Sequence, residues 1–142
     1  MIVYADTSFL FSLYLSDANT AAAAAAMLRF KESLHTTDFG EFEFINAVGW
    51  RTFRKQVLIG EQRAVLDAFT KDIETGLIRI TPIPSAAFVR AKQIAQKQTP
   101  VTGNRALDVL HVASALVLRS DTLFTFDDRQ ARLASALGLR VL

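Results

Sequence analysis

The sequence contains no cysteine, which excludes both a disulfide framework and thiolate chemistry. No apolar run approaches the roughly 18 residues of a membrane span. The opening MIVYADTS has no basic region and no cleavage site, so no signal peptide is visible. These absences together are compatible with a reducing cytoplasm. Neither sign of charge dominates: the formal net charge is only +2, which permits an anionic partner without requiring one. There is no internal repeat and no linker rich in Pro, Gly or Ser. What remains is 142 residues, 51% hydrophobic with eleven phenylalanines, a chain long enough to bury a core and most simply one domain over 1–142.

Short apolar runs alternate with helical patterns along this chain. Strands are expected at Met1–Ala5, Leu34–Thr37, Leu77–Thr81, Asp121–Phe126 and Leu139–Leu142. Helices are expected over Phe9–Leu15, Ala21–Phe30 with its alanine run, Phe39–Val57, Glu61–Thr75, Ala86–Gln98, Arg105–Leu118 and Asp127–Leu137. Gly76 and Gly138 follow helix ends as stop residues. Thr99–Asn104, with Pro100 and Gly103, reads as a loop. Strand–helix alternation with apolar strands predicts an α/β fold: three layers, α/β/α, around a mostly parallel sheet of about five strands.

The helix over 105–118 organises the reading. It is apolar on nearly every face, which predicts burial, yet it carries Asp108, with His111 and Ser114 at i+3 and i+6. A lone buried carboxylate needs a partner, a proton or a metal. Arg105 and Arg119 are candidate ion-pair partners; His111 reads as a core histidine or hydrogen-bonding spacer rather than a ligand.

Three other acids can meet Asp108. Asp6 follows the first strand and Asp127 the fourth, and ligands of parallel sheets bind outside the carboxyl ends of the strands. Each is also a good helix N-cap. Glu43 lies near the start of a helix over the same edge, sharing a face with Ala47, Trp50 and Arg54. Four crowded carboxylates repel unless cations sit among them. All-oxygen ligation suits Mg²⁺ or Mn²⁺, and such ions activate water for in-line displacement at phosphorus, in two-metal sites about 4 Å apart. Asp38, Glu41 and Asp128 are left open as water-mediated contacts.

The motifs that hold these acids resemble those of the PIN-domain family, and in particular its small VapC-like ribonuclease toxins. Asp6-Thr7-Ser8 after the opening strand is similar to the first acidic motif, and Glu43-Phe44-Ile45-Asn46-Ala47 to the helical Glu motif. Leu107 to Ala115 resembles the third. Leu123-Phe124-Thr125-Phe126-Asp127, with the helix to Gly138-Leu139, resembles the closing one. The resemblance spans essentially the whole chain. It implies a Mg²⁺- or Mn²⁺-dependent endoribonuclease with Asp6, Glu43, Asp108 and Asp127 holding the metal and Thr7, Ser8 and Thr125 supporting them. It also implies a homodimer and a cognate antitoxin. Glu41 and Asp128 are the alternatives in register; the spacing to Asn46-Ala47 and the strand-end position favour Glu43 and Asp127.

Arg51, Arg54, Lys55 and Arg105 could flank the acids and meet an RNA backbone, although each also reads as a solvated surface residue. Two rival readings are a catalytically inactive PIN-like binding protein and a receiver-like phosphoacceptor domain. The latter wants an acceptor Asp after the third strand, where Thr81-Pro82 stands, and a Lys after a later one. A dinucleotide site is ranked lower still, because no GxGxxG follows any strand.

Overall fold

The first strand enters at the centre of the sheet. In a computed structural model that describes all 142 residues, strands β1 (Val3–Ala5), β2 (Leu34–Thr37), β3 (Ile78–Thr81), β4 (Thr122–Phe124) and β5 (Arg140–Val141) form one parallel sheet in the order β3-β2-β1-β4-β5. Val3 stands opposite both Leu34 of β2 and Thr122 of β4. The strand order reverses between β1 and β4, so the carboxyl ends of these two strands form the switch point where such sheets bind ligands.

Side-chain alternation along the strands divides the core in two. Val3, Ala5 and Phe124 join a cluster with α1 (Thr7–Tyr14), α2 (Thr20–Arg29), α3 (Asp38–Phe53) and α4 (Ile59–Glu74) on one face. Tyr4 and Leu123 join the other cluster with α5 (Ser85–Thr102), α6 (Ala106–Val117) and α7 (Asp128–Ala136). This is the three-layer arrangement expected. No helix is long and apolar enough to cross a membrane.

Two expectations need correction. The segment Thr99–Asn104 is not all loop: α5 runs through Pro100 to Thr102 and ends on Gly103, whose φ of 64° is left-handed. Pro100 is tolerated because it lies in the last turn, where the carbonyl it leaves without a donor belongs to the exposed Gln96. The helix carrying Asp108 is also not buried throughout. Its middle, Val109 to Ala115, is buried, but Leu107 is exposed and Asp108 half-buried. Asp108 sits in the first turn, which is more exposed than the middle of the helix.

Gly40 and Gly49 lie inside α3, where glycine weakens a helix. Gly40 has a packing reason. A Cβ there would collide with the Thr36 hydroxyl and come within 3.5 Å of His111 Cε1, so glycine lets the start of α3 close down on the sheet.

Candidate active site

Asp6 ends β1 and caps α1. Its Oδ1 accepts from the Phe9 amide at 2.8 Å and from the Ser8 hydroxyl at 2.7 Å; Oδ2 accepts from Thr125 Oγ1 at 2.6 Å. Ser8 Oγ in turn accepts from the Phe126 amide at 2.9 Å, and Thr125 Oγ1 from the Asp127 amide at 3.0 Å. The hydroxyls therefore stitch the ends of β1 and β4 together around a carboxylate only 2% exposed. Burial pushes the Asp6 carboxyl above its usual range; the positive charge His111 carries whenever it is protonated and the bonds from Thr125, Phe9 and Ser8 oppose that rise.

Asp127 follows β4 and caps α7, with Oδ1 accepting from the Gln130 amide at 2.8 Å. Both strand-end acids thus serve as caps and face the cleft at once. Glu43, on α3, accepts from Thr7 Oγ1 and, at 2.7 Å, from His111 Nε2, a contact that is an ion pair only when the imidazole is protonated; no Lys or Arg pairs with an acid in the chain. Burial alone would raise the Glu43 carboxyl, but the hydrogen bond and charge of His111 and the Thr7 bond outweigh it and hold it below the ordinary value.

Asp108 differs from the other three. No hydrogen bond or ion pair reaches it, and neither Arg105 nor Arg119 pairs with it. Its carboxyl is raised by burial first and then by the negative charge of Asp127, with Asp6 and Glu43 adding to the effect and His111 opposing it. The partner sought for Asp108 is not supplied by the protein.

All four acids line one open cleft of about 510 Å³, together with Thr7, Ser8 and His111. As they stand, no three carboxylates or imidazoles close around a single point. Glu41 does not line the cleft. Asp38 is occupied elsewhere, its Oδ1 accepting from the Phe39 and Ile83 amides, both at 2.9 Å. Asp128 lines a smaller adjoining pocket with Arg105, Asp108, Asp127 and Arg129.

The basic candidates separate. Arg51 lines the cleft, its guanidinium 4.7 Å over the ring of Phe11. Arg105 borders the adjoining pocket. Arg54 and Lys55 are exposed at the end of α3 and line neither. The face of α3 turned to the cleft is Glu43, Ala47 and Arg51, whereas Trp50 is exposed and stacks edge-on against Phe53 at 5.7 Å. Of the residues that helical projection grouped with Glu43, Ala47 lines the cleft and Trp50 and Arg54 do not.

Sequence reasoning passed over Tyr4, whose hydroxyl lies 2.9 Å from His111 Nδ1. Burial pushes the Tyr4 phenol up to about 12. Asp17, which reads in sequence as a cap or a solvated acid, accepts from the Ser12 hydroxyl at 2.7 Å and the Asn19 amide at 2.7 Å and also lines the cleft.

The PIN-domain family model matches residues 3–136. A search of curated protein sequences finds no match. Among solved structures the chain is similar to Mycobacterium tuberculosis VapC20, a Sarcin-Ricin loop cleaving toxin, at 17% identity and a TM-score of 0.73, covering 96% of this chain and 95% of that one. It is similar to FitAcB from Neisseria gonorrhoeae at 19% identity and a TM-score of 0.68, over 99% and 96%. A toxin-antitoxin complex from Klebsiella pneumoniae matches at 15% identity and 0.63, over 92% and 90%. At such identities these likenesses establish the fold. With the family model covering nearly the whole sequence, the chain belongs to the PIN-domain family.

Proposed function

We propose that the chain is a divalent-metal-dependent endoribonuclease and the toxin of a toxin–antitoxin pair. The observation that carries the reading is Asp108: a half-buried carboxylate without a protein partner, facing three further acids and no paired lysine or arginine. Such a cluster is electrostatically unfavourable on its own and becomes favourable around a cation.

The donor set fits Mg²⁺ or Mn²⁺. All the donors are carboxylate oxygens, and free ones remain on Asp108, on Glu43 Oε2 and on Asp127 Oδ2. Asp6, buried under four hydrogen-bonding contacts, completes the set. A bound divalent ion supplies positive charge against the phosphate and acidifies water. Arg51 and Arg105 flank the acids as cations for the RNA backbone.

The reaction is hydrolysis. A water oxygen bonds to phosphorus, the bond to the leaving ribose oxygen breaks, and that oxygen takes up a proton. No side-chain nucleophile is required: Ser8 is committed to Asp6, and both ring nitrogens of His111 are engaged.

The proposed partners are RNA, a cognate antitoxin and a second copy of the chain, and the proposed compartment is the cytoplasm. Two exposed apolar surfaces could serve the protein partners. One is the outer side of α3, with Phe42, Trp50 and Phe53; the other is a groove of about 480 Å³ between α5 and α6, lined by Phe88, Ala91, Leu107 and Leu110.

The test is cleavage of a structured RNA in Mn²⁺, in EDTA and by Asp108→Asn. Asp108 is a better choice than Asp6, because it makes no hydrogen bond whose loss would unfold the chain. Cleavage in Mn²⁺ alone, lost in both controls, supports the nuclease. Cleavage that survives in Asp108→Asn refutes this site. Mn²⁺ binding by a chain that cleaves no RNA favours a PIN-like protein kept for binding.

A further inference from the structure

Glu43 is held by a chain of side chains that begins on the far face of the sheet. Tyr4 is fully buried on β1, among the residues packed against α6. Its hydroxyl meets His111 Nδ1 at 2.9 Å, and His111 Nε2 meets Glu43 Oε1 at 2.7 Å. The direction of these bonds follows from the groups involved. An ionised carboxylate only accepts, so Nε2 carries the proton. In the neutral ring Nδ1 is then a lone pair, and the phenol O–H donates to it.

The His111 ring is itself confined. Phe39 packs against it with centroids 4.9 Å apart, and the start of α3 at Gly40 lies alongside its edge. Thr7 Oγ1 donates to the same Oε1 of Glu43. Two donors converge on one oxygen, and Oε2 has none. The terminal torsion of a glutamate is soft; here it is anchored at one oxygen so that the other faces the cleft.

We propose that Tyr4 and His111 are positioning residues that orient Glu43, presenting Oε2 to the divalent cation, and that His111 is not itself a ligand. The proposal rests on the metal-dependent reading above. It adds two residues to the site, one of them reached only through another side chain.

The test uses the full chain at pH 8, with Tyr4→Phe, His111→Leu and His111→Gln, each checked for folding by thermal melting. Mn²⁺ affinity is read by calorimetry and the His111 ring by its ¹⁵N shifts in the metal-free protein. Loss of partners that orient a ligand costs about 10–100-fold in metal affinity, and that is the loss expected for His111→Leu. His111→Gln, whose amide can both donate to Glu43 and accept from Tyr4, should recover most of it. The wild-type ring should show the Nε2–H tautomer that Glu43 requires, and Tyr4→Phe, which removes the donor to Nδ1 but keeps Glu43, should lower Mn²⁺ affinity by less than His111→Leu does. Wild-type affinity in a folded His111→Leu overturns the positioning role, and wild-type affinity in a folded Tyr4→Phe removes Tyr4 from it. An Nδ1–H tautomer in the wild type also overturns it. If the wild type binds no Mn²⁺, the metal reading itself fails, and the role of Oε2 fails with it.

Discussion

Replacing Thr125 by valine keeps the shape of the side chain and removes one hydroxyl that serves two groups. Thr125 is 5% exposed, donates to Asp6 Oδ2 at 2.6 Å and accepts from the Asp127 amide at 3.0 Å. A hydrogen bond to a charged group contributes about 1.5–3 kcal/mol, and an amide left without its acceptor costs at least about 1 kcal/mol. Asp127 is only partly buried, so water can reach the amide and the lower figure applies. The expected loss is roughly 2.5–4 kcal/mol in the metal-free protein, against about 5–15 kcal/mol for a typical domain, so the variant should still fold. The corresponding fall in Tm is roughly 8–20 °C for a chain of this size. Urea titration in EDTA measures it directly.

The pH dependence sharpens this test. The Thr125 bond holds the Asp6 carboxyl down against a larger rise due to burial. Without it the folded-state pKa climbs further above the unfolded value of 3.8, so the variant loses additional stability as pH rises through the two folded values. The deficit should therefore be smallest in acid, where Asp6 is protonated in both proteins. A loss below about 0.5 kcal/mol at pH 8, or a deficit that grows on acidification, would refute the account of Asp6 as a buried charge held by hydroxyls.

The remaining predictions concern three other positions. Gly40→Ala should destabilise the protein by about 1–3 kcal/mol, because its methyl group collides with the buried Thr36 hydroxyl; a neutral result in a denaturant titration would show that α3 or Thr36 can shift freely. Asp108→Asn should make the metal-free protein more stable at pH 8. The raised pKa of Asp108 means that its charge costs stability as pH rises from the unfolded value of 3.8 through the folded one, so the gain should shrink on acidification toward that unfolded value, and its absence at pH 8 would contradict the crowding. The protein's two tyrosines should remain phenols at pH 11 by absorbance at 295 nm, since burial pushes Tyr4 up to about 12 and raises Tyr14, bonded to Asp72, higher still. Their ionisation in the unfolded chain near pH 10 then favours unfolding in base, and a midpoint near 10 in the folded protein would refute the burial argument.

The parts of this molecule that were legible in the sequence are those with local signals. Asp6 and Asp127 follow apolar strands and precede helices, and both strand end and cap are written within a few residues of each acid. The strand–helix alternation likewise led to the observed five-stranded sheet. What escaped notice depends on distance or on a half-turn. Tyr4 and His111 are 107 positions apart, and nothing in MIVYADTS marks its tyrosine as more than core. Arg51 and Arg54 were both candidates to flank the acids, but helical projection placed Arg54 with Glu43, whereas the cleft face runs from Glu43 through Ala47 to Arg51. Asp108 was expected to be deeply buried because its helix is apolar all round; periodicity cannot show that the first turn is more exposed than the middle of the helix. Pro100 marks a boundary in sequence but lies within the last turn of α5.

The central place of β1 has a consequence for synthesis. Val3, Tyr4 and Ala5 pair with Thr122, Leu123 and Phe124, and the Asp6 amide donates to the Phe124 carbonyl at 3.1 Å. These partners are separated by more than a hundred residues of intervening chain. On the ribosome, Asp6 emerges more than a hundred residues before the strand that flanks it and the hydroxyl of Thr125 that holds it, which follow only after both helical layers have largely been made. A nascent chain can fold part of its core around β1, β2 and β3. It cannot assemble the cleft, because Asp108 and Asp127 have not yet been translated. Whatever chemistry the acids perform is thus withheld from the incomplete polypeptide and released with the finished one, a safeguard that arises from strand order alone.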